Sequence, residues 1–305
     1  MTPRIMITGA QGFAGRHMAA CLRETRPAVP LHIAHFDITD PAAVMEAVAG
    51  FRPTHLLHLA GVSAVSAAAA APDLAWRVNL HGTLNLARAV LARAPDCRFL
   101  HVSSCEIYGR SFLRAAPLDE DAPPAPVNAY GASKAAADLA LGAMVGEGLR
   151  LLRLRPANHT GPGQSPAFVI PAFARQIALI EAGAQEKVIK TGSLTARRDF
   201  LDVRDVCAAY AAALALEGEE AGEILNIASG RSVAVGDILD TLIGLTGLSI
   251  RVETDPARLR PGEIPETWLD PARARARLGW EPRIPLAETL RGVLAYWRAQ
   301  QKPPA

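Results

Sequence analysis

Tyr130 and Lys134 stand four residues apart in Tyr130-Gly131-Ala132-Ser133-Lys134. On a helix, positions i and i+4 stack on one face, so the Lys134 ammonium can lie beside the Tyr130 phenol. A free tyrosine has a pKa of about 10 and relays protons poorly at neutral pH. A fixed neighbouring cation favours the phenolate and brings that pKa towards the working range. Spacing alone also suits an exposed helix face, so the pair gains meaning only from what surrounds it.

Upstream, the chain opens Arg4-Ile5-Met6-Ile7-Thr8-Gly9-Ala10-Gln11-Gly12-Phe13-Ala14-Gly15 and continues into an alanine-rich stretch. A short apolar run, three spaced glycines and a helix make a phosphate site. Gly9 permits the tight turn, Gly12 lets the backbone approach a pyrophosphate, and Gly15 allows helix to pack closely on strand. The helix N-terminus offers unpaired N–H groups and the positive dipole end to the anion. A dinucleotide cofactor is expected, NADPH or NADH.

The elements that must position these groups alternate. Strands are expected near Arg4–Thr8, Leu31–Phe36, His55–Leu59, Phe99–Ser103 and Leu149–Leu154. Helices are expected near Phe13–Arg26, Pro41–Ala49, Asp73–Ala94 and Tyr130–Glu147. Asp40-Pro41 supplies an N-cap acid and a proline at N1. The proline-rich stretch 121–126 reads as a surface loop ahead of the Tyr130 helix, and the run Ala67–Ala71 as a helix start or loop. Such alternation implies an α/β fold with a doubly wound parallel sheet of the Rossmann type. After about Asn158 the pattern dissolves into Gly/Pro-rich loops, until Val203–Leu216 (helix) and Glu223–Ile227 (strand) restore it. A dinucleotide-binding domain is therefore expected over 1–158, with a return at about 202–230, and a smaller C-terminal lobe over 159–305.

With 305 residues, half of them apolar and a net charge of +2, the chain has the composition of an ordinary globular enzyme. A dedicated nucleic-acid binder usually carries a clustered basic excess, and Arg273, Arg275 and Arg277 read as a solvated helix face. No apolar run reaches membrane-spanning length, and no cleavable leader precedes the first strand. Cys21, Cys97, Cys105 and Cys207 are scattered, which suits free thiols in a cytoplasmic protein and no metal site.

The glycine run, His58-Leu59-Ala60-Gly61, Val102-Ser103-Ser104 through Tyr108-Gly109, and Tyr130–Lys134 together resemble the extended short-chain dehydrogenase/reductase family, nearly end to end. Within it, Arg155-Pro156-Ala157-Asn158-His159-Thr160-Gly161-Pro162-Gly163-Gln164 looks most like the GDP-4-keto-6-deoxy-D-mannose reductases, with Ala157 departing from their usual phenylalanine. The resemblance implies reduction of a C4 keto group on a nucleotide sugar, in a homodimer formed through the Asp73–Ala94 and Tyr130–Glu147 helices. It implies Tyr130 as proton donor, Lys134 as its tuner and cofactor-ribose ligand, and Ser104 as the hydrogen bond to the substrate carbonyl. Cofactor contacts would come from Gly9, Gln11, Gly12, Phe13, Ala14 and Gly15, from Asp37 and Ile38, from Leu59, Ala60 and Gly61, and from Asn79 and Arg155. Asn79 equally suits a polar contact inside a helix. Substrate contacts would come from Ser104, Asn158, Val169, Arg175, Arg198, Arg260 and Glu263, since a sugar diphosphate needs arginines and acceptors for ribose hydroxyls.

Glu106, two residues after Ser104, is where the related GDP-mannose 4,6-dehydratases carry a catalytic acid. Against that activity, Pro171 and Ala172 stand where dehydratases have a basic pair. A 4-epimerase is a third possibility, and a non-catalytic NAD(P)-binding protein a remote one, because fold alone does not fix function. One departure concerns the early strands: only 22 residue steps separate Gly15 from Asp37. Asp37-Ile38-Thr39-Asp40 resembles the acidic segment after the family's third strand, which leaves the second strand shortened or missing. No arginine is thereby assigned to a 2′-phosphate.

Overall fold

The computed structural model describes residues 3–301 apart from 115, 217, 219, 220, 260 and 261. Its elements run β1 (Ile5–Thr8), α1 (Phe13–Thr25), β2 (Leu31–Ile33), α2 (Pro41–Phe51), β3 (His55–His58), α3 (Val65–Ala70), α4 (Pro72–Trp76), α5 (Thr83–Arg93) and β4 (Arg98–Val102). Then come α6 (Ala129–Met144), β5 (Arg150–Pro156), β6 (Asn158–Thr160), α7 (Val169–Glu181), β7 (Val188–Thr191), β8 (Arg197–Arg198), β9 (Phe200–Asp202), α8 (Val203–Ala215) and β10 (Ala221–Ile227). The rest are β11 (Val233–Ala234), α9 (Val235–Gly244), β12 (Arg251–Thr254), β13 (Glu266–Thr267), α10 (Ala272–Leu278) and α11 (Leu286–Ala299).

Six strands form one parallel sheet in the order β10-β5-β4-β3-β1-β2. Alternation along the strands sends side chains to opposite faces. Ile5 and Ile7 meet α1 and α8 through Met18, Leu22 and Val206 on one face. Met6 meets α2 and α5 through Val44, Val48 and Leu86 on the other. Both faces are covered, as a parallel sheet requires. A third core joins α7, α9 and α11 through Phe173, Ile177, Leu239, Leu242 and Val293.

The helix starts follow capping chemistry. Asp40 accepts from the N–H groups of Ala42 and Ala43 with Pro41 at N1, and Asn128 accepts from Gly131 N at 2.8 Å to open α6. The expected Asp73–Ala94 helix is composite: α4, a π-helical segment Arg77–Gly82, then α5. Such single π turns often mark functional sites. The alanine run belongs to the separate short helix α3.

Two readings of the sequence change. Arg273, Arg275 and Arg277 are no simple solvated face: Arg273 pairs with Glu120 and Asp121, Arg277 with Glu223, and Arg275 donates to the Ser229 carbonyl. They pin α10 to the sheet and its flanking loops. The early strands also differ. Leu31–Ile33 pairs directly with β1 and is the edge of the sheet among the described residues. The second-strand slot is therefore filled, and a strand outside it is what is missing. Ile38 is nevertheless buried against Gly82, and its carbonyl accepts from Asn85 Nδ2 at 3.1 Å.

Candidate active site

The chain order reverses between β2 and β3 on either side of β1, and the loops leaving β1 and β3 meet there. A crevice at such a switch point is where open α/β sheets bind nucleotides. Gly9 has φ +73°, and a Cβ on it would stand 2.5 Å from Ala60 N. The turn therefore presses against the Leu59–Gly61 loop with no room for a side chain. At Gly15 a Cβ would overlap the Gly9 carbonyl, so α1 lies directly on the turn. Gly12 is different. Its backbone is extended (φ −69°, ψ 172°), open to any residue, and a Cβ there meets protein only at Gly9 O, 3.2 Å away. Gly12 is also the N-cap of α1, and no side chain caps that helix. A bare backbone and an uncapped N-terminus suit the pyrophosphate of a nicotinamide dinucleotide.

A buried polar chain ties these loops together. Thr8 Oγ1 lies 2.7 Å from His58 Nδ1, His58 Nε2 lies 2.8 Å from Thr83 Oγ1, and Thr83 donates to the Asn79 carbonyl at 2.7 Å. Asn79, 1% exposed, accepts from Val62 N at 2.8 Å and donates to Val62 O and to Ser133 Oγ. Ser133 in turn donates to the Tyr130 carbonyl. Both Nδ2 protons of Asn79 are thus used within the protein, so a direct cofactor contact from this amide gives way to a positioning contact.

The catalytic candidates gather at the carboxyl edge of β4. Lys134 Nζ donates to the Val102 carbonyl at 2.5 Å, and Ser104 begins the next turn, its Oγ accepting from Glu106 N. Burial drops the Lys134 pKa to about 8, with Asp138 pulling the other way. The Tyr130 phenol does not follow the expected depression. Burial pushes it up, a hydrogen bond with Ser104 pulls it back, and the nearby Glu106 charge raises it again. Glu106 Oε2 accepts from Asn128 Nδ2 at 3.2 Å, so the residue that caps α6 also holds the acid beside the tyrosine. Sequence reasoning missed Asn128, although an asparagine just ahead of a helix is a readable N-cap signal.

Arg155, expected on the cofactor, is committed elsewhere. It is 2% exposed, forks onto Asp138 at 2.8 and 3.1 Å, and donates to the Tyr108 hydroxyl. Burial works against ionisation of Asp138, and Arg155 and Arg153 more than offset it, holding the carboxyl below its usual range. A desolvated bidentate pair leaves no donors for a ligand.

On the far side of the cleft, Arg198 NH2 donates to Glu263 Oε1 at 2.9 Å, so the structure joins two of the expected substrate residues. Asn158, on β6 beside Phe200, has a buried Nδ2 without a hydrogen-bond partner. Val169 opens α7 at 36% exposure, and Arg175 is exposed on the same helix. Arg260 lies outside the described residues. Asp199 holds the neighbouring turn, accepting from Ser229 N and Gly230 N at 3.0 Å each, while burial lifts its pKa to about 6. Among the described residues no His, Cys, Asp or Glu cluster could hold a metal ion.

A six-stranded parallel sheet, a glycine turn at its switch point and a Ser-Tyr-Lys group beside it define an NAD(P)-dependent oxidoreductase of the extended short-chain dehydrogenase/reductase class. The family model described as GDP-mannose 4,6 dehydratase matches residues 23–293, and the chain belongs to this family. It is 36% identical to the GDP-6-deoxy-D-mannose reductase of Pseudomonas aeruginosa, over 98% of this chain and 99% of the other. The structure of RMD from Pseudomonas aeruginosa complexed with NADPH superposes at a TM-score of 0.89, with 34% identity over 98% of this chain and all of that one. A UDP-glucose 4-epimerase from Thermus thermophilus in complex with NAD is similar at 0.83, with 29% identity over 97% and 99%.

Proposed function

We propose that this chain uses NADPH or NADH to reduce the C4 keto group of a nucleotide sugar. The favoured substrate is GDP-4-keto-6-deoxy-D-mannose, giving GDP-D-rhamnose or its C4 epimer. The observation that carries this reading is the meeting of Ser104, Tyr130 and Lys134 beside the Gly9 turn. Similarity to the Pseudomonas reductase supports the choice of sugar.

When bound, the dihydronicotinamide supplies the hydride. The Gly9–Gly15 turn and the α1 N-terminus would hold the cofactor's pyrophosphate. Ser104 donates a hydrogen bond to the C4 oxygen and steadies the charge that develops there. Tyr130 gives its proton to that oxygen. Burial keeps the phenol protonated, which is the form a reductive acid needs. Lys134 then compensates the phenolate left behind, so its cationic form matters most after proton transfer. Arg198 and Asn158 would take the sugar nucleotide's diphosphate.

Glu106 beside Tyr130 favours a second reading, a 4,6-dehydratase or 4-epimerase. Incubation with the keto sugar and each reduced cofactor separates the two. One NAD(P)H oxidised per sugar reduced supports the reductase, and turnover without net cofactor oxidation rejects it.

Residues 1–158 with 202–230 are assigned to the nucleotide-binding domain and the remainder of 159–305 to the sugar lobe. A homodimer through α4, α5 and α6 is supported by exposed Leu74 and Leu139 on that side of the chain. Sedimentation of Leu139→Glu should then show a monomer. Four free cysteines suit a cytoplasmic location. No helix among the described residues is long and apolar enough to cross a membrane.

A further inference from the structure

β2 stops at Ile33, and the chain turns away from the sheet edge through Ala34 and His35. His35 stands twenty residues beyond Gly15. In dinucleotide folds a carboxylate near this distance holds the ribose 2′-hydroxyl of the unphosphorylated cofactor. Here an exposed imidazole occupies it, with Nδ1 2.9 Å from Gln11 Nε2 on the glycine turn. Gln11 is itself fixed, because its carbonyl accepts from Arg16 NH1 at 2.7 Å while Arg16 NH2 donates to Gly163 O. An amide N–H donating to Nδ1 sets the imidazole proton on Nε2, so the ring presents a donor on the side away from Gln11.

The acid two residues further on does not take over the carboxylate's part. Asp37 Oδ1 accepts from Thr39 N at 2.8 Å and closes its own turn. Arg77 places positive charge near that carboxylate. A carboxylate aimed at the 2′ position would repel a phosphate, whereas an N–H donor hydrogen-bonds one. We infer that His35, anchored by Gln11, reads the 2′ position of the adenosine ribose and makes this chain prefer the 2′-phosphorylated cofactor, NADPH. The inference rests on the NAD(P)H-dependent reading above and sharpens it by choosing between the two cofactors.

Binding without sugar tests it. Nicotinamide fluorescence titrations give Kd for NADPH and NADH, and calorimetry with adenosine 2′,5′-bisphosphate against 5′-AMP isolates the 2′-phosphate. The native chain should bind NADPH about ten- to a hundredfold tighter, the range of a hydrogen bond to a charged group. His35→Ala should erase most of that margin and leave NADH affinity within about twofold, as befits an exposed side chain. His35→Asp should reverse the preference. Equal affinity of the native chain for both cofactors, or an unchanged margin in His35→Ala, overturns the inference. The reductase reading survives that outcome if the keto sugar is still reduced, whereas binding of neither cofactor sinks both.

Discussion

Thr8, His58, Thr83 and Asn79 form a closed polar chain beneath the cofactor-side loops, with each link at 2.7 or 2.8 Å and every member buried. Across the cleft, Arg198 and Glu263 meet at 2.9 Å with both side chains partly in solvent, and Asn158 has an unpartnered Nδ2. Low local dielectric strengthens the first set and makes each lost partner costly. A partly exposed ion pair is worth little by itself, so an incoming anion can displace Glu263 from Arg198 at small cost. The cofactor half is thus built by contacts the protein makes with itself, and the sugar half by groups free to change partner.

The sharpest break in this contrast is chemical. Tyr130→Phe should lower kcat by about a hundred- to ten-thousandfold, the usual contribution of a general acid, with GDP affinity unchanged in a direct titration. Full activity in that variant would remove the tyrosine from the mechanism.

Two further variants set the halves against each other. Asn79→Ala strands Val62 N and Ser133 in the interior, and denaturant unfolding should show a loss of about 1–3 kcal/mol. Arg198→Met should leave stability within about 0.5 kcal/mol while raising KM about tenfold, as loss of a phosphate contact would. If the two variants lost stability equally, the contrast would fail.

Titration gives the smaller effects. A Lys134 pKa near 8 means that its cationic share falls as pH rises through 8, so kcat should decline on that limb. A rate that stays level up to pH 10 would show that the ammonium is dispensable. His58 and His101 are buried, and their pKa values are lowered, to about 3 for His58, first by burial and then by the Lys134 charge. Both stay neutral in the fold while the unfolded chain takes up protons below about pH 6.5. Their stabilising share is therefore complete above that pH and is lost as pH falls towards 3. Neither ring nitrogen of His101 has a partner at 0% exposure. His101→Leu should thus leave stability at pH 7 within about 1 kcal/mol and flatten the acid decline in melting temperature.

How much of this was legible varies residue by residue. The Asp40 and Asn128 caps are local, and the alternation Ile5-Met6-Ile7 already assigns two faces to β1. The π-helical turn at Arg77–Gly82 carries no propensity signal, since the same residues also suit an α-helix. Arg155 was misread because its partner Asp138 sits on another element, and a motif position says nothing about which charge will face it after folding. The arginines of α10 reach partners between 46 and 152 residues away.

By itself the sequence determined the parallel alternation of elements, the Gly9–Gly15 turn and the i, i+4 placement of Tyr130 and Lys134. All three follow from spacing within one element or from one element to the next. Only the tertiary structure decided that Lys134 binds the Val102 carbonyl, that burial and not the neighbouring ammonium governs the Tyr130 phenol, and that Arg155 is spent on Asp138. These outcomes depend on desolvation and on partners brought from distant segments, and neither exists until the sheet and its covering helices have closed around the site.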